Sequence, residues 1–275
     1  MEEAEFRAQV AVDEHHWWFR GRRRVINARL ARLDLPARCD VLDAGCGWGR
    51  TMDELRRYGR VSGFDLNPLG VQHARARGHT EVRQARVEEI PWPDESFDLI
   101  TCLDVIEHTP DDVASLRELR RVARPGAALL VTVPAYQLLW SSHDEANHHY
   151  RRYRRRQLVE AARAAGWEPI GWTYFNSILL GPAAVVRLSE RLRPARGSKD
   201  RSHVAMTPRW LDGVLEVPMR AEAAAIRRGV RLPAGLSLMA VFRRAKPPQL
   251  AREKTVKDGD LRAPASPRRS TLRAR

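Results

Sequence analysis

Between residues 39 and 134 short apolar runs alternate strictly with amphipathic stretches, and this alternation limits the chain to very few folds. CDVLD (39–43) reads as a buried strand entering a glycine turn, 49–58 as a helix and RVSGFD (60–65) as a second strand. Asn67-Pro68 opens a helix to about Arg77, because proline suits a first helical turn. Residues 80–84 form a third expected strand. FDLITCLDV (97–105) forms a fourth, with the continuous apolarity of a strand covered on both faces. Val113, Leu116, Leu119 and Val122 recur at helical spacing over 111–123, Arg124-Pro-Gly126 stops that helix, and AALLVTVP (127–134) is a fifth strand. Such alternation argues for a parallel sheet with helices on both faces. Two helix-like stretches over 3–33 precede it. A helix near 154–165, a strand near 168–175, helical stretches over about 176–193 and 209–228, a loop over 194–208 and a last strand over 235–244 follow it.

Composition narrows the partners. The 275 residues carry 48 Lys+Arg against 34 Asp+Glu, a net charge of +14. Of this, +8 falls between Arg243 and Arg275, in a Pro- and Ser-rich stretch with almost no large apolar residues. Residues 245–275 are therefore expected to be a disordered basic tail, weakly attracted to anionic membrane or nucleic acid or simply solvated. Cys39, Cys46 and Cys102 show no CxxC spacing and read as reduced thiols. MEEAEFRAQV is no signal peptide, and the longest apolar stretch, Ile178 to Val186, is interrupted by Gly181-Pro182. A cytoplasmic protein is expected.

VLDAGCGWGR places Gly45, Gly47 and Gly49 between the first strand and its helix, where backbone can approach a ligand closely. Asp65 ends the second strand, placed to accept from ribose hydroxyls. A dinucleotide fingerprint fails because Arg50 holds its sixth position, and no triphosphate-binding loop is present. Asp43 would repel a pyrophosphate but pair with an ammonium. A cofactor with ribose, a free amino group and no phosphate satisfies these constraints: S-adenosylmethionine. The alternative is a turn that merely closes a strand–helix corner.

VLDAGCGWG, SGFDLNP, EEIPWPDESFDLITCLDVIEHTPD and LRELRRVARPGAALLVTVP together resemble the class I S-adenosylmethionine-dependent methyltransferases over roughly residues 15–244. The likeness is greatest to a bacterial group with an HWWF-type N-terminus and an SxHDExxxHxRRY stretch. Ubiquinone-pathway O-methyltransferases look more distant. The resemblance implies an α/β fold with a Rossmann-like seven-stranded sheet, its last strand antiparallel and helices on both faces, and with a helical insertion (about 176–230) before that strand. It further implies that Asp43, Gly45 and Gly47 face the methionine part, Asp65 the ribose and the backbone around Arg86 and Val87 the adenine; Cys46, Gly49, Leu66 and Asp104 are further expected cofactor-binding residues. Arg86 stands where the family usually has an aspartate.

Methyl transfer to a hydroxyl needs orientation and a base. His143 and His149, with Asp144 orienting, are the candidates in WSSHDEANHHYRRY; Glu107-His108 after the fourth strand reads either as site residues or as a cap for the helix at 111. Segment 143–153 could also clamp substrate or ligate metal, but its spacing matches no standard zinc pattern and no metal is expected. His16-Trp17-Trp18-Phe19 with Arg22 and Arg23 suggests residues 1–35 as a lid, against plain hydrophobic docking. The (Asp/Asn)-Pro-Pro-aromatic motif of base-directed methyltransferases is absent after the fourth strand, which disfavours a nucleic-acid target. The expected activity is O-methylation of a small-molecule, glycan or lipid-linked acceptor by domain 36–244. The basic, apolar insertion offers a peripheral membrane contact or packs on the domain. An RNA methyltransferase and a non-catalytic cofactor-binding regulator are the alternatives.

Overall fold

The computed structural model describes residues 10–185 and 209–246, apart from the side chains of His143, Arg209 and Trp210. Its elements are α1 (Trp17–Leu30), β1 (Cys39–Ala44), α2 (Arg50–Leu55), β2 (Gly59–Asp65), α3 (Pro68–Ala76), β3 (Val82–Gln84), β4 (Phe97–Leu103), α4 (Asp112–Val122), β5 (Ala123–Pro134), α5 (Ser142–Ala146), α6 (Arg155–Ala164), β6 (Trp167–Phe175), α7 (Arg209–Arg227) and β7 (Ser237–Arg244). The sheet order is β3-β2-β1-β4-β5-β7-β6, and β7 runs antiparallel to both neighbours. The expected fold class is the observed one.

The period-2 pleat sorts the core into two layers. Leu42, Ile100, Leu129, Val131 and Phe242 face one side, where Leu116 and Leu119 of α4 and Leu158 of α6 cover them. Val41, Leu99, Leu130 and Val241 face the other, against Val25 and Ile26 of α1 and Met219 and Ile226 of α7. The N-terminal helix and the helix of the insertion thus share one layer. Cys39, Cys46 and Cys102 are buried free thiols.

Local chemistry sets the element ends. Asn67 caps α3 by accepting from Leu69 N, with Pro68 in the first turn. Asp111 caps α4 by accepting from Ala114 N, so Glu107 and His108, in a separate single helical turn, do not perform that role. Arg124-Pro-Gly126 ends no strand-free gap: β5 begins at Ala123, and a register irregularity against β4 between Phe97 and Leu99 accommodates the proline, which has no N–H to offer the ladder. Residues 1–9, 186–208 and 247–275, including the second part of the expected helix over 176–193, the expected loop over 194–208 and nearly all of the expected disordered tail, lie outside the described residues. Among the described residues no helix is long and apolar enough to cross a membrane.

Candidate active site

A cavity of about 1030 Å³ opens at the carboxyl ends of β1, β2 and β4, where ligands enter open α/β sheets. The turn after β1 is built from residues that tolerate left-handed backbone. Gly45 has φ +72°, and a Cβ there would come within 2.4 Å of Val105 Cγ2; Gly47 has φ +53° with open space beside it. A side chain at either position would strain the backbone, and at Gly45 it would also collide. Asp65 Oδ2 accepts from Gly47 N at 2.7 Å and its Oδ1 from Asn67 N at 2.8 Å, which ties the tip of β2 to the turn. Burial raises the Asp65 carboxyl against those two hydrogen bonds. Asp43 is fully buried and accepts from Thr101 Oγ1 at 2.6 Å. Burial raises its carboxyl to about 7, outweighing that hydrogen bond and the charge of Arg22.

Helix α1 forms one wall. Phe19, Arg22 and Arg23 line the cavity, and Phe19 meets Trp48 edge-on at 6.0 Å. Arg22 Nη2 donates to Asp104 Oδ2 at 2.6 Å, and Thr132 Oγ1 donates to Asp104 Oδ1 at 3.1 Å. Asp104 holds φ +57°, a conformation uncommon outside glycine, at the point where β4 leaves the sheet.

The far wall comes from the connections after β4 and β5: Asp104, His108, Thr109, Asn147, His148 and Tyr150. Behind it, Asp144 is fully buried. Its Oδ1 accepts from His149 Nδ1 at 2.8 Å and Arg152 Nε at 2.7 Å, and its Oδ2 from Ser141 N at 2.9 Å. Burial alone would raise this carboxyl, but the hydrogen bonds from His149 and Arg152 and the charge of Arg152 hold it well below the usual range. Asp144 is thus the ionised orienter of His149. The His149 ring meets that of His108 at 4.6 Å, near perpendicular. Burial, and then the charge of His149, lower His108 to about 4, against a hydrogen bond from its ring to the Asn147 backbone.

A methyltransferase-domain family model matches residues 42–131, the β1-to-β5 part that carries the cofactor turn. The chain is similar to a probable S-adenosylmethionine-dependent methyltransferase of Mycolicibacterium smegmatis, 36% identical over 162 residues, which cover 56% of this chain and 61% of that one. It is also similar to a ubiquinone biosynthesis O-methyltransferase of Hahella chejuensis, 34% identical over 131 residues, covering 42% and 55%. Residues 42–131 therefore carry a methyltransferase domain, and over its matched length the chain is similar to S-adenosylmethionine-dependent methyltransferases. Its matches span less than two thirds of the length of those curated relatives. Among solved structures, a putative methyltransferase from Bacillus halodurans aligns with a TM-score of 0.55 at 18% identity, covering 81% of this chain and 99% of that one, and shows the shared fold.

The cavity fits S-adenosylmethionine, the cofactor that the first of these relatives is named for. Asp43 is a buried carboxylate whose depressed acidity a neighbouring ammonium would restore. Asp65 reaches the cavity with one hydrogen bond on each oxygen and room for more acceptance, and Gly47 leaves its face open. Every cofactor-binding candidate except Gly49 lines the cavity: Asp43, Gly45, Cys46, Gly47, Asp65, Leu66, Arg86, Val87 and Asp104. Gly49 instead caps α2 in the left-handed conformation, with its Cβ direction closed by His79 and Ala74. At the adenine wall Arg86 stands beside Glu88, 4.0 Å away, and both line the cavity. Of the catalytic candidates, His149 and Asp144 form the pair expected of them but stand behind His108 and not on the wall. The His143 side chain lies outside the described residues. Asn147, Tyr150 and the reach of Arg22 to Asp104 had no periodicity or motif to announce them; each depends on how chain segments far apart in sequence come together.

Proposed function

We propose that this chain transfers a methyl group to a hydroxyl oxygen of a small-molecule, glycan or lipid-linked acceptor, with S-adenosylmethionine as donor. The observation that carries the reading is the apposition, in one cavity, of the Asp43–Gly47–Asp65 corner and the His108 wall, backed by His149 and Asp144. When bound, S-adenosylmethionine supplies a methyl group already activated on sulfur. The chain's own residues hold and orient: Asp65 takes the ribose hydroxyls, Asp43 the ammonium, and the backbone at Arg86 and Val87 borders the adenine. Phe19, Arg22 and Arg23 border the cavity and reduce its water, so that α1 acts as the lid.

On the acceptor side His108 is neutral near pH 7 and stands at the wall, able to receive the hydroxyl's hydrogen bond. Asp144 fixes His149 as the Nδ1–H tautomer and acts as positioning residue, so His149, the base candidate of the sequence together with His143, stands directly behind His108. Oxygen is favoured over a nucleobase nitrogen because β4 is followed by Leu103-Asp104-Val105-Ile106, with no Pro-Pro-aromatic clamp for an exocyclic amine. Exposed Ile178 and Val185, at the start of the insertion, support a membrane-adjacent, lipid-linked acceptor.

The test is incubation of the full chain with methyl-labelled cofactor and separated lipid, glycan, small-molecule, protein and RNA extracts. Label in an ether or ester of the lipid or glycan fraction supports the reading. Label confined to RNA, or label in no fraction while S-adenosylhomocysteine still binds, replaces it with the RNA methyltransferase or the non-catalytic regulator respectively.

A further inference from the structure

Glu107 is the most exceptional side chain outside the cofactor corner. It is fully buried, and beyond its own residue neither carboxylate oxygen meets a hydrogen-bond donor among the described residues. A carboxylate taken from water without partners costs several kcal/mol unless a proton or a cation compensates it. Its immediate neighbours are imidazoles: Glu107, His108 and His149 each bring one ligand atom to within 4.8 Å of the other two.

Both histidines carry a hydrogen bond of the kind that orients metal-binding histidines. A ligating imidazole gives one nitrogen to the ion and donates from the other to a carboxylate or a backbone carbonyl, which fixes its tautomer and ring direction. His149 donates from Nδ1 to Asp144 at 2.8 Å, and Asp144 is itself anchored by Arg152 and Ser141. The His108 ring is hydrogen-bonded to the Asn147 backbone. His108 also lines the cavity, which gives an ion and an acceptor oxygen a way in.

We propose that Glu107, His108 and His149 form a binding site for a divalent first-row transition-metal ion at the acceptor end of the cavity. Two imidazoles and one carboxylate select zinc, cobalt, nickel, manganese or iron over the oxygen-seeking magnesium and calcium. In a tetrahedral site with ligands at about 2.0–2.1 Å, neighbouring ligand atoms stand about 3.3 Å apart, so closure needs side-chain rotations on the order of 1 Å. Three protein ligands leave a position open toward the cavity, where an ion lowers the pKa of a bound hydroxyl. Each imidazole then spends on the ion the lone pair with which it would otherwise take up a proton, so metal and histidine base are two states of one site. Only that role rests on the methyltransferase reading; binding of the ion does not.

The test uses the full chain, stripped with a chelator and titrated with zinc by calorimetry and with cobalt by visible absorption, with magnesium as the contrasting probe. One equivalent of zinc is expected, together with cobalt d–d bands of a site containing nitrogen ligands. Glu107→Gln, nearly isosteric, should weaken zinc by at least about 10-fold, and Asp144→Asn, which disturbs only the orienter, by about 10- to 100-fold. Absence of zinc heat and cobalt bands in the unaltered chain overturns the site, as does magnesium binding in place of both, or zinc binding unchanged in Glu107→Gln. S-adenosylhomocysteine affinity, measured on the same samples, separates failure of the metal site from failure of the methyltransferase reading.

Discussion

The two ends of the cavity are built by different means. The cofactor end comes from one strand–turn–helix–strand unit: Asp43, Gly45, Gly47 and Asp65 are near in sequence, and backbone hydrogen bonds such as Gly47 N to Asp65 Oδ2 at 2.7 Å fix their relation. The acceptor end is assembled from side chains that arrive separately, on the turn after β4, on the connection after β5 and on α1; Arg22 and Asp104, which meet at 2.6 Å, are 82 residues apart. Backbone-built recognition is shared by any chain that folds this way. Side-chain-built recognition is where such chains differ, so the first end identifies the cofactor and the second would identify the acceptor.

The largest expected effect breaks the first end alone. Asp65→Ala removes the acceptor of the Gly47 N–H and, in the proposed function, that of the ribose hydroxyls; hydrogen bonds to charged groups contribute about 1.5–3 kcal/mol each, so S-adenosylhomocysteine affinity should fall by about 100-fold or more by calorimetry. Unchanged affinity would displace the cofactor corner. A smaller effect, about 10-fold, concerns Asp43. Its buried carboxyl titrates at about 7 against an ordinary 3.8, so it is half neutral near neutral pH. An ammonium prefers the ionised form, and affinity should therefore rise between pH 6 and 8; Asp43→Asn should flatten that rise. The stability of the free protein runs the opposite way. Because the folded carboxyl titrates above the unfolded one, the Asp43 contribution is most favourable below about pH 4 and is lost as pH climbs to about 7. Thermal melts with and without ligand over that range check both signs.

This contrast also explains what the sequence could disclose. The alternation over 39–134 is enough for the sheet, because each strand's apolar face and each helix's stripe are local patterns; Val41 and Leu42, adjacent in sequence, go to opposite layers as the pleat requires. The glycine turn and Asp65 were legible for the same reason. The pairing of Asp144 with His149 was legible because they are five residues apart, but that His108 stands between them and the cavity was not, since it depends on how the turn after β4 packs against the connection after β5. Nor could any local pattern tell that Asp111, and not Glu107-His108, caps α4.

A third variant tests the link between the ends. Arg22→Ala keeps the hydrogen bonds of the Asp43–Asp65 corner, but removes the bond from α1 to Asp104 and the positive charge that lowers the Asp43 carboxyl. The pair is partly exposed, so the expected cost is about 1 kcal/mol, a drop in melting temperature of ~2–4 °C, and faster amide exchange in α1 around Phe19 with S-adenosylhomocysteine affinity changed by only a few-fold. Exchange as slow as in the unaltered chain would reduce α1 to a docked helix with no closing role.

The smallest effect is expected of the most strongly charged segment. The net +8 between Arg243 and Arg275 dominates the charge of the chain, while among the described residues the cavity is lined from Asp13 to Tyr150. Long-range attraction of this kind is screened within about 8 Å at physiological ionic strength and acts on association more than on a cavity's chemistry. Deleting 247–275 should leave S-adenosylhomocysteine affinity and labelled-methyl transfer unchanged, while salt-sensitive retention on anionic vesicles or RNA falls. Transfer lost with the deletion and affinity kept would make the tail the acceptor's reader, and acceptor recognition would then have to be sought in that basic segment and not at the His108 wall.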